Sequence, residues 1–417
     1  MTEAAPVVAV FTIPEANHFA LLEPLIAGLV EEGAIVHVFT DLRRAEGVER
    51  AGAHMVDLYG RYSLDEADDE SVPLPSRFVS YAGRYAEEIV REAAALRPAL
   101  VVYDVFAVIG RVVGQALGIP AVAVVTGHNL DPQRIVAELE ADPRVSIGRR
   151  CLAAVEVLRE RHGISDASPF SYVTGLSQAL NVCCEPRSFL TPSERLVFEP
   201  AAFYGSLPAR AAPAHQREVQ CAPSAYGGDR SSRRVLACFG VIVWRYFARE
   251  ALAALASISD ALAELDNVEG LISLGGASLP PERVTALERP NVRVVPWIDQ
   301  FQVLQETDLF VTHNGLASTH EAIFHGVPML SVPFFWDQPR LALRCEALGL
   351  ASLLTEAPLE AVSPVRLREA VRDLAPNDRA RSVAFARAQR WERTTLTTRP
   401  AVHRRILDLA RHPPGVA

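Results

Sequence analysis

Two clusters in this chain have residue types and spacing that can do chemistry. His18 closes the run IPEANH, a loop after one apolar β-branched segment, and Asp104 ends another such segment, ALVVYD. If both segments are parallel strands of one sheet, residues at their carboxyl ends converge, and His18 with Asp104 can form a dyad. The carboxylate would fix the imidazole tautomer and stabilise the imidazolium, leaving the histidine to take a proton near neutral pH. The alternative on the same residues is a lone histidine capping a helix and a lone carboxylate opening the next one.

The second cluster is FVTHNGLASTHE at 310–321. A strand runs into a glycine-containing turn, and a helix is expected to begin around Ser318 and Thr319. Backbone N–H groups and hydroxyls at such a terminus favour an anion, with His313 adding a hydrogen bond and Glu321 able to accept from sugar hydroxyls. Here too a plainer reading stands: HNG is a common turn, and Ser318 with Glu321 makes a capping box.

Composition narrows the chemistry. All 41 basic residues are arginine, so Schiff-base lysines, pyridoxal phosphate attachment and the Walker phosphate-loop lysine are excluded. Any phosphate must be met by Arg, His, hydroxyls or backbone amides. A net charge of −9 argues against a general nucleic-acid or anionic-membrane surface. The six cysteines, at 151, 183, 184, 221, 238 and 345, form no CxxC pair of the kind a zinc or redox site needs, and read as reduced core thiols. The longest apolar stretch, 99–125, is broken by Asp104, Arg111 and Pro120, and the amino terminus lacks the basic region of a signal peptide. These features predict a soluble, cytoplasmic protein. No clustered Asp-x-Asp pair offers a divalent metal a place, and no metal is expected.

The elements that must position these residues follow from hydrophobic periodicity. Short β-branched runs at 7–13, 34–40, 54–58, 99–105 and 120–125 alternate with helical patterns, the signature of a parallel sheet buried on both faces. Between the first two, Leu22, Leu25, Ile26 and Leu29 share one helical face, and Gly33 ends the segment. The period collapses over 208–234, then strands are expected at 235–244, 270–276, 291–297, 308–313 and 328–334, with a helix at 248–265. The fold class is therefore α/β, two doubly wound domains with a ligand cleft between them. The domains are 1–207 and 235–380, joined by a linker over 208–234, with a helical segment, 381–417, packing back on the first.

The stretch from Trp297 to Gly349 resembles the donor-binding signature of family 1 nucleotide-sugar glycosyltransferases, which include plant natural-product and bacterial macrolide and antibiotic enzymes. The elements stand in the family's order and spacing: Trp297 and Gln300; His313, Gly315, Ser318, Thr319 and Glu321; Gly326, Val327 and Pro328; Asp337 and Gln338. The resemblance implies the GT-B fold, with two facing Rossmann-like domains. It implies that Trp297 stacks on the nucleobase, that Gln300 and Glu321 hold ribose, and that His313, Ser318 and Thr319 contact the pyrophosphate. Asp337 and Gln338 would bind the transferred sugar, and His18 and Asp104 would be the catalytic base and its partner. The chain departs from the pattern at Asn17 and Asn314, where glycines are usual, at His320, usually small or apolar, and at Val241, where a hydroxyl is common.

The resulting expectation is an inverting hexosyltransferase that needs neither metal nor cofactor. A UDP- or dTDP-sugar serves as co-substrate, and a hydroxyl on a small natural product as acceptor. Phe78, Tyr81 and Tyr85 lie on one helical face and form either core or one wall of the acceptor cleft, while His128 either lines that cleft or makes a turn. The acidic run at 64–70 reads as a solvated loop, and His37 and His54 as structural. Two rivals remain: a nucleotide-sugar epimerase of the same architecture, and a non-catalytic homologue that binds ligand or activates a partner.

Overall fold

The structure, a computed structural model, describes residues 5–64, 75–128, 131–143, 145–211, 225–227, 231–373 and 379–412. Most of the acidic run at 64–70, Cys221 and much of the expected linker lie outside the described residues.

The apolar runs form strands because they are buried on both faces, as a parallel sheet requires. β1 (Val7–Phe11), β2 (Ile35–Thr40), β3 (His54–Asp57), β4 (Leu100–Asp104), β5 (Ala121–Val125), β6 (Leu180–Cys183) and β7 (Ala201–Phe203) make one sheet, in the order β3-β2-β1-β4-β5-β6-β7. β8 (Arg233–Cys238), β9 (Val268–Ser273), β10 (Val292–Val295), β11 (Leu309–Thr312), β12 (Met329–Ser331) and β13 (Ala351–Leu353) make the second, in the order β10-β9-β8-β11-β12-β13. Every pairing between these strands is parallel. Winding reverses between β1 and β4 in the first sheet and between β8 and β11 in the second. Each reversal opens a crevice at the carboxyl ends of the strands.

The helix after β1 starts at Ala16, earlier than the leucine pattern predicts, and runs to Glu31, so His18 sits in its first turn. Gly33 follows at φ +91°, a left-handed backbone that favours glycine. In the second sheet the VIVW run belongs to a helix, not to the expected strand. β8 stops at Cys238, and a helix spans Val241–Ala263 with a kink at Phe247. Strand propensity is overridden there because Gly240 takes the N-cap position and Val243 and Trp244 pack into the second core.

Contacts divide the chain into one unit of Met1–Ala212 with Thr394–Ala417 and another of Pro213–Arg393. These bounds differ from the expected ones. The division falls inside one continuous helix, Arg379–Arg411, so 381–393 packs with the second unit and only the remainder with the first.

Within the first unit that helix ties down the edge strand β7 and the backbone beyond it. Arg399 donates to the carbonyls of Tyr204 and Leu207 at 3.0 and 2.6 Å, and Arg405 to that of Ala201 at 2.6 Å. Burial, reinforced by Arg399 and Arg404, pulls the pKa of His403 down to about 4. The neutral ring has an acceptor nitrogen, and its Nε2 lies 2.8 Å from the Tyr204 hydroxyl. The same ring lies against Gly28 of the helix that carries His18, where a Cβ would overlap it.

Gly28→Ala should therefore cost about 1–3 kcal/mol in urea denaturation. Most of that penalty should vanish in a His403→Ala background, where the colliding ring is gone. An equal penalty in both backgrounds would show that the contact does not limit packing.

Candidate active site

In the first unit the winding reversal assembles a buried proton-transfer group. Phe11 pairs with Tyr103 across β1 and β4, so the helix following β1 and the last residue of β4 meet at one rim. His18 Nδ1 lies 2.7 Å from Asp104 Oδ2. The Thr126 hydroxyl donates to Asp104 Oδ1 at 2.9 Å, and the Phe106 amide donates to the same oxygen at 3.1 Å. Asp104 is fully buried and His18 is 9% exposed. The arrangement suits a carboxylate, which accepts at both oxygens and donates at neither. With Nδ1–H directed to Asp104, the neutral imidazole carries its basic lone pair on Nε2. Phe106 packs edge-on against the ring at 4.9 Å. The helix is entered through Glu15, whose carboxylate does not cap it but pairs with buried Arg77 at 2.5 Å.

Three of the candidate acceptor residues are buried. Phe78 and Tyr81 are 2% and 3% exposed, so they are core and not an open wall. Tyr59 packs at a tilt on Tyr81 with ring centres 5.1 Å apart, and the half-buried Tyr85 meets Tyr81 edge-on at 5.2 Å. His128 is likewise enclosed, with Nδ1 2.7 Å from Oε1 of the fully buried Glu185. Burying a histidine and a carboxylate is tolerable only when they satisfy each other, and pairing accounts for His128 without an acceptor.

In the second unit the rim is built from the loops after β8, β10, β11 and β12. The helix after β11 spans Leu316–His325 with Gly315 as N-cap, so Ser318 lies in its first turn and makes no capping box. No side chain caps this terminus, which leaves its leading amides available to an anion. The turn into it needs a left-handed residue, and Asn314 supplies one at φ +57°, a conformation asparagine tolerates better than most residues. The departure from glycine at this position thus preserves the backbone.

His313 stands between Gly240 and Gly315, and a Cβ on either would overlap its ring. The Gly240 amide donates to His313 Nδ1 at 3.3 Å across the β8–β11 reversal. Burial pulls the pKa of His313 down to about 4, against an opposing hydrogen bond with the Cys238 backbone, so the ring is neutral at physiological pH. It can offer a phosphate a hydrogen bond but no charge.

The loop after β10 reaches the same helix. Gln300 donates to Glu321 at 2.7 Å and to the Ser318 hydroxyl at 3.1 Å, joining three of the expected donor residues in one network. Trp297, in the same loop, is 66% exposed, an unusual position for so large an apolar ring. Thr319 is fully buried, and its hydroxyl has no partner and no solvent-facing surface. Gln338 accepts the Phe334 and Phe335 amides at 2.9 and 3.3 Å, which fixes the loop after β12 and keeps its Nε2 for other work. Asp337 is the N-cap residue of the next helix, yet its side chain caps nothing there. Trp336 beside it is held at φ +60°, the kind of strain that clusters at ligand-binding loops. Phe239, after β8, packs on Phe334 at 5.0 Å, which brings the two loops together.

Comparison with known proteins bears on this rim first. Residues 250–379 match the family model described as UDP-glucoronosyl and UDP-glucosyl transferase. Mouse UDP-glucuronosyltransferase 3A1 is 40% identical over 87 residues, which are 20% of this chain and only 17% of that protein. NDP-glycosyltransferase YjiC of Bacillus licheniformis is 24% identical over 376 residues, covering 87% of this chain and 88% of its own. A solved structure titled as the glycotransferase of kitacinnamycin aligns over 97% of this chain and 100% of its own, with a TM-score of 0.75 and 24% identity. Residues 250–379, which carry this rim, are thus similar to the UDP-glucoronosyl and UDP-glucosyl transferase family, and the two parallel sheets have the GT-B fold of the solved glycosyltransferase structure.

Proposed function

We propose that the chain is an inverting, metal-independent glycosyltransferase that moves a sugar from a UDP- or dTDP-sugar to a hydroxyl of a small natural-product acceptor. The observation that carries the reading is the His18–Asp104 contact at 2.7 Å, at the winding reversal of a unit whose companion holds the family's donor motif. A nucleotide-activated sugar already has a good leaving group. What remains is to remove the proton from the attacking hydroxyl and to meet the charge that grows on the diphosphate.

His18 Nε2 takes the proton, and Asp104 stabilises the resulting imidazolium. The uncapped amides after Gly315, neutral His313 and the Ser318 hydroxyl meet the diphosphate as hydrogen-bond donors. A single in-line displacement inverts the anomeric centre. Trp297 stacks on the base, Gln300 and Glu321 hold the ribose, and Asp337 and Gln338 bind sugar hydroxyls. Thr319, buried to its hydroxyl, belongs to this set only through its backbone position in the helix.

His18→Ala should lower kcat by at least about 100-fold while nucleotide affinity stays unchanged. Near-normal transfer by that variant would remove His18 as the base. By calorimetry, Trp297→Ala and Glu321→Ala should each weaken nucleoside diphosphate binding by about tenfold, the scale of one lost stacking or charged hydrogen-bond contact. Unchanged affinity in both would contradict the assignment of the donor residues.

A further inference from the structure

We infer that Thr126 is a positioning residue of the reaction, acting through Asp104 on the orientation of His18. The inference rests on the reading of His18 as the base. Thr126 follows β5, whose Val124 pairs with Asp104 of β4, so chain topology delivers its side chain beside the carboxylate. It is 5% exposed. Its hydroxyl lies 2.9 Å from Asp104 Oδ1 and 3.2 Å from His18 Nδ1.

A hydroxyl has one proton to give. Donation to the carboxylate, the stronger and nearer acceptor, leaves the oxygen lone pairs turned to the Nδ1–H of His18. Thr126 therefore touches both members of the pair, fixing the plane of the carboxylate and helping to hold the proton on Nδ1.

That plane needs fixing. The last torsion of an aspartate side chain is broad, so the carboxylate turns easily unless both of its oxygens are held. His18 holds Oδ2, and Thr126 with the Phe106 amide holds Oδ1. Threonine suits the task, since β-branching restricts its own first torsion and presents the hydroxyl in a fixed direction. Without the hydroxyl only the Phe106 amide holds Oδ1, the carboxylate is looser, the imidazole tautomer is less firmly fixed, and a fraction of the molecules present Nε2 protonated and useless as a base.

The test compares Thr126→Val, Thr126→Ala and Thr126→Ser with His18→Ala in steady-state transfer from the nucleotide sugar. Each variant is checked by thermal unfolding. Val keeps the shape and removes the hydroxyl, Ala removes it without adding a methyl group, and Ser restores it. The inference expects kcat to fall about tenfold in Val and Ala, equal to about 1.4 kcal/mol of barrier, with KM for the nucleotide sugar unchanged and Ser close to wild type. Wild-type kcat in both hydroxyl-free variants would overturn it, as would a Ser variant as slow as Val or a loss confined to KM. If His18→Ala were inactive while Val and Ala were not, the positioning role alone would fall. If His18→Ala were itself active, the base reading would fall and take this inference with it.

Discussion

In a parallel sheet every strand leaves by the same edge, and where the winding changes direction two neighbouring loops turn away from each other and leave a crevice. Both sheets of this protein place candidate site residues at that point. In the first, β1 and β4 are adjacent in space although β2 and β3 intervene in the chain, so the helix after one strand brings His18 to the terminal Asp104 of the other. In the second, β8 and β11 are adjacent, and the Gly240 amide after one meets His313 after the other. Backbone topology accounts for the proximity of these residues, and local packing then refines their orientation.

The two rims handle polarity differently. The first buries a carboxylate and satisfies it with three donors, from His18, Thr126 and the Phe106 amide. The second has no lysine to offer a phosphate, and burial keeps its histidine neutral, so what it presents is a set of dipoles: an uncapped helix terminus, hydroxyls and an imidazole N–H. Fixed dipoles in a partly desolvated site stabilise developing charge without reorganising as it appears. The glycines on either side of His313 are needed because the ring fills the space that a side chain would occupy.

Much of this is legible in the sequence, for reasons that also mark where legibility stops. His18 and Asp104 can be paired in advance because both follow recognisable parallel strands and such strands share an edge. The loop after β11 is legible through the spacing of its motif, and Asn314 fits because it can take the left-handed turn. Phe78 and Tyr81 are not resolved by spacing, since one helical face looks the same whether it meets a core or a cleft. Glu185 lies 57 residues from His128, and no local pattern announces a partner so distant. Thr126 carries no signal, because a threonine after a strand is commonplace until its neighbour across the sheet is known. The division between Arg393 and Thr394 is invisible for a related reason, as the helix runs through it without a break in periodicity.

The proposed reaction is a single displacement with His18 as its base. The most direct measurement is the configuration of the product, read from the anomeric proton coupling by NMR after transfer from an α-linked nucleotide sugar. A β-linked product is the result this account requires. An α-linked product would mean two displacements or a different nucleophile, and would contradict it.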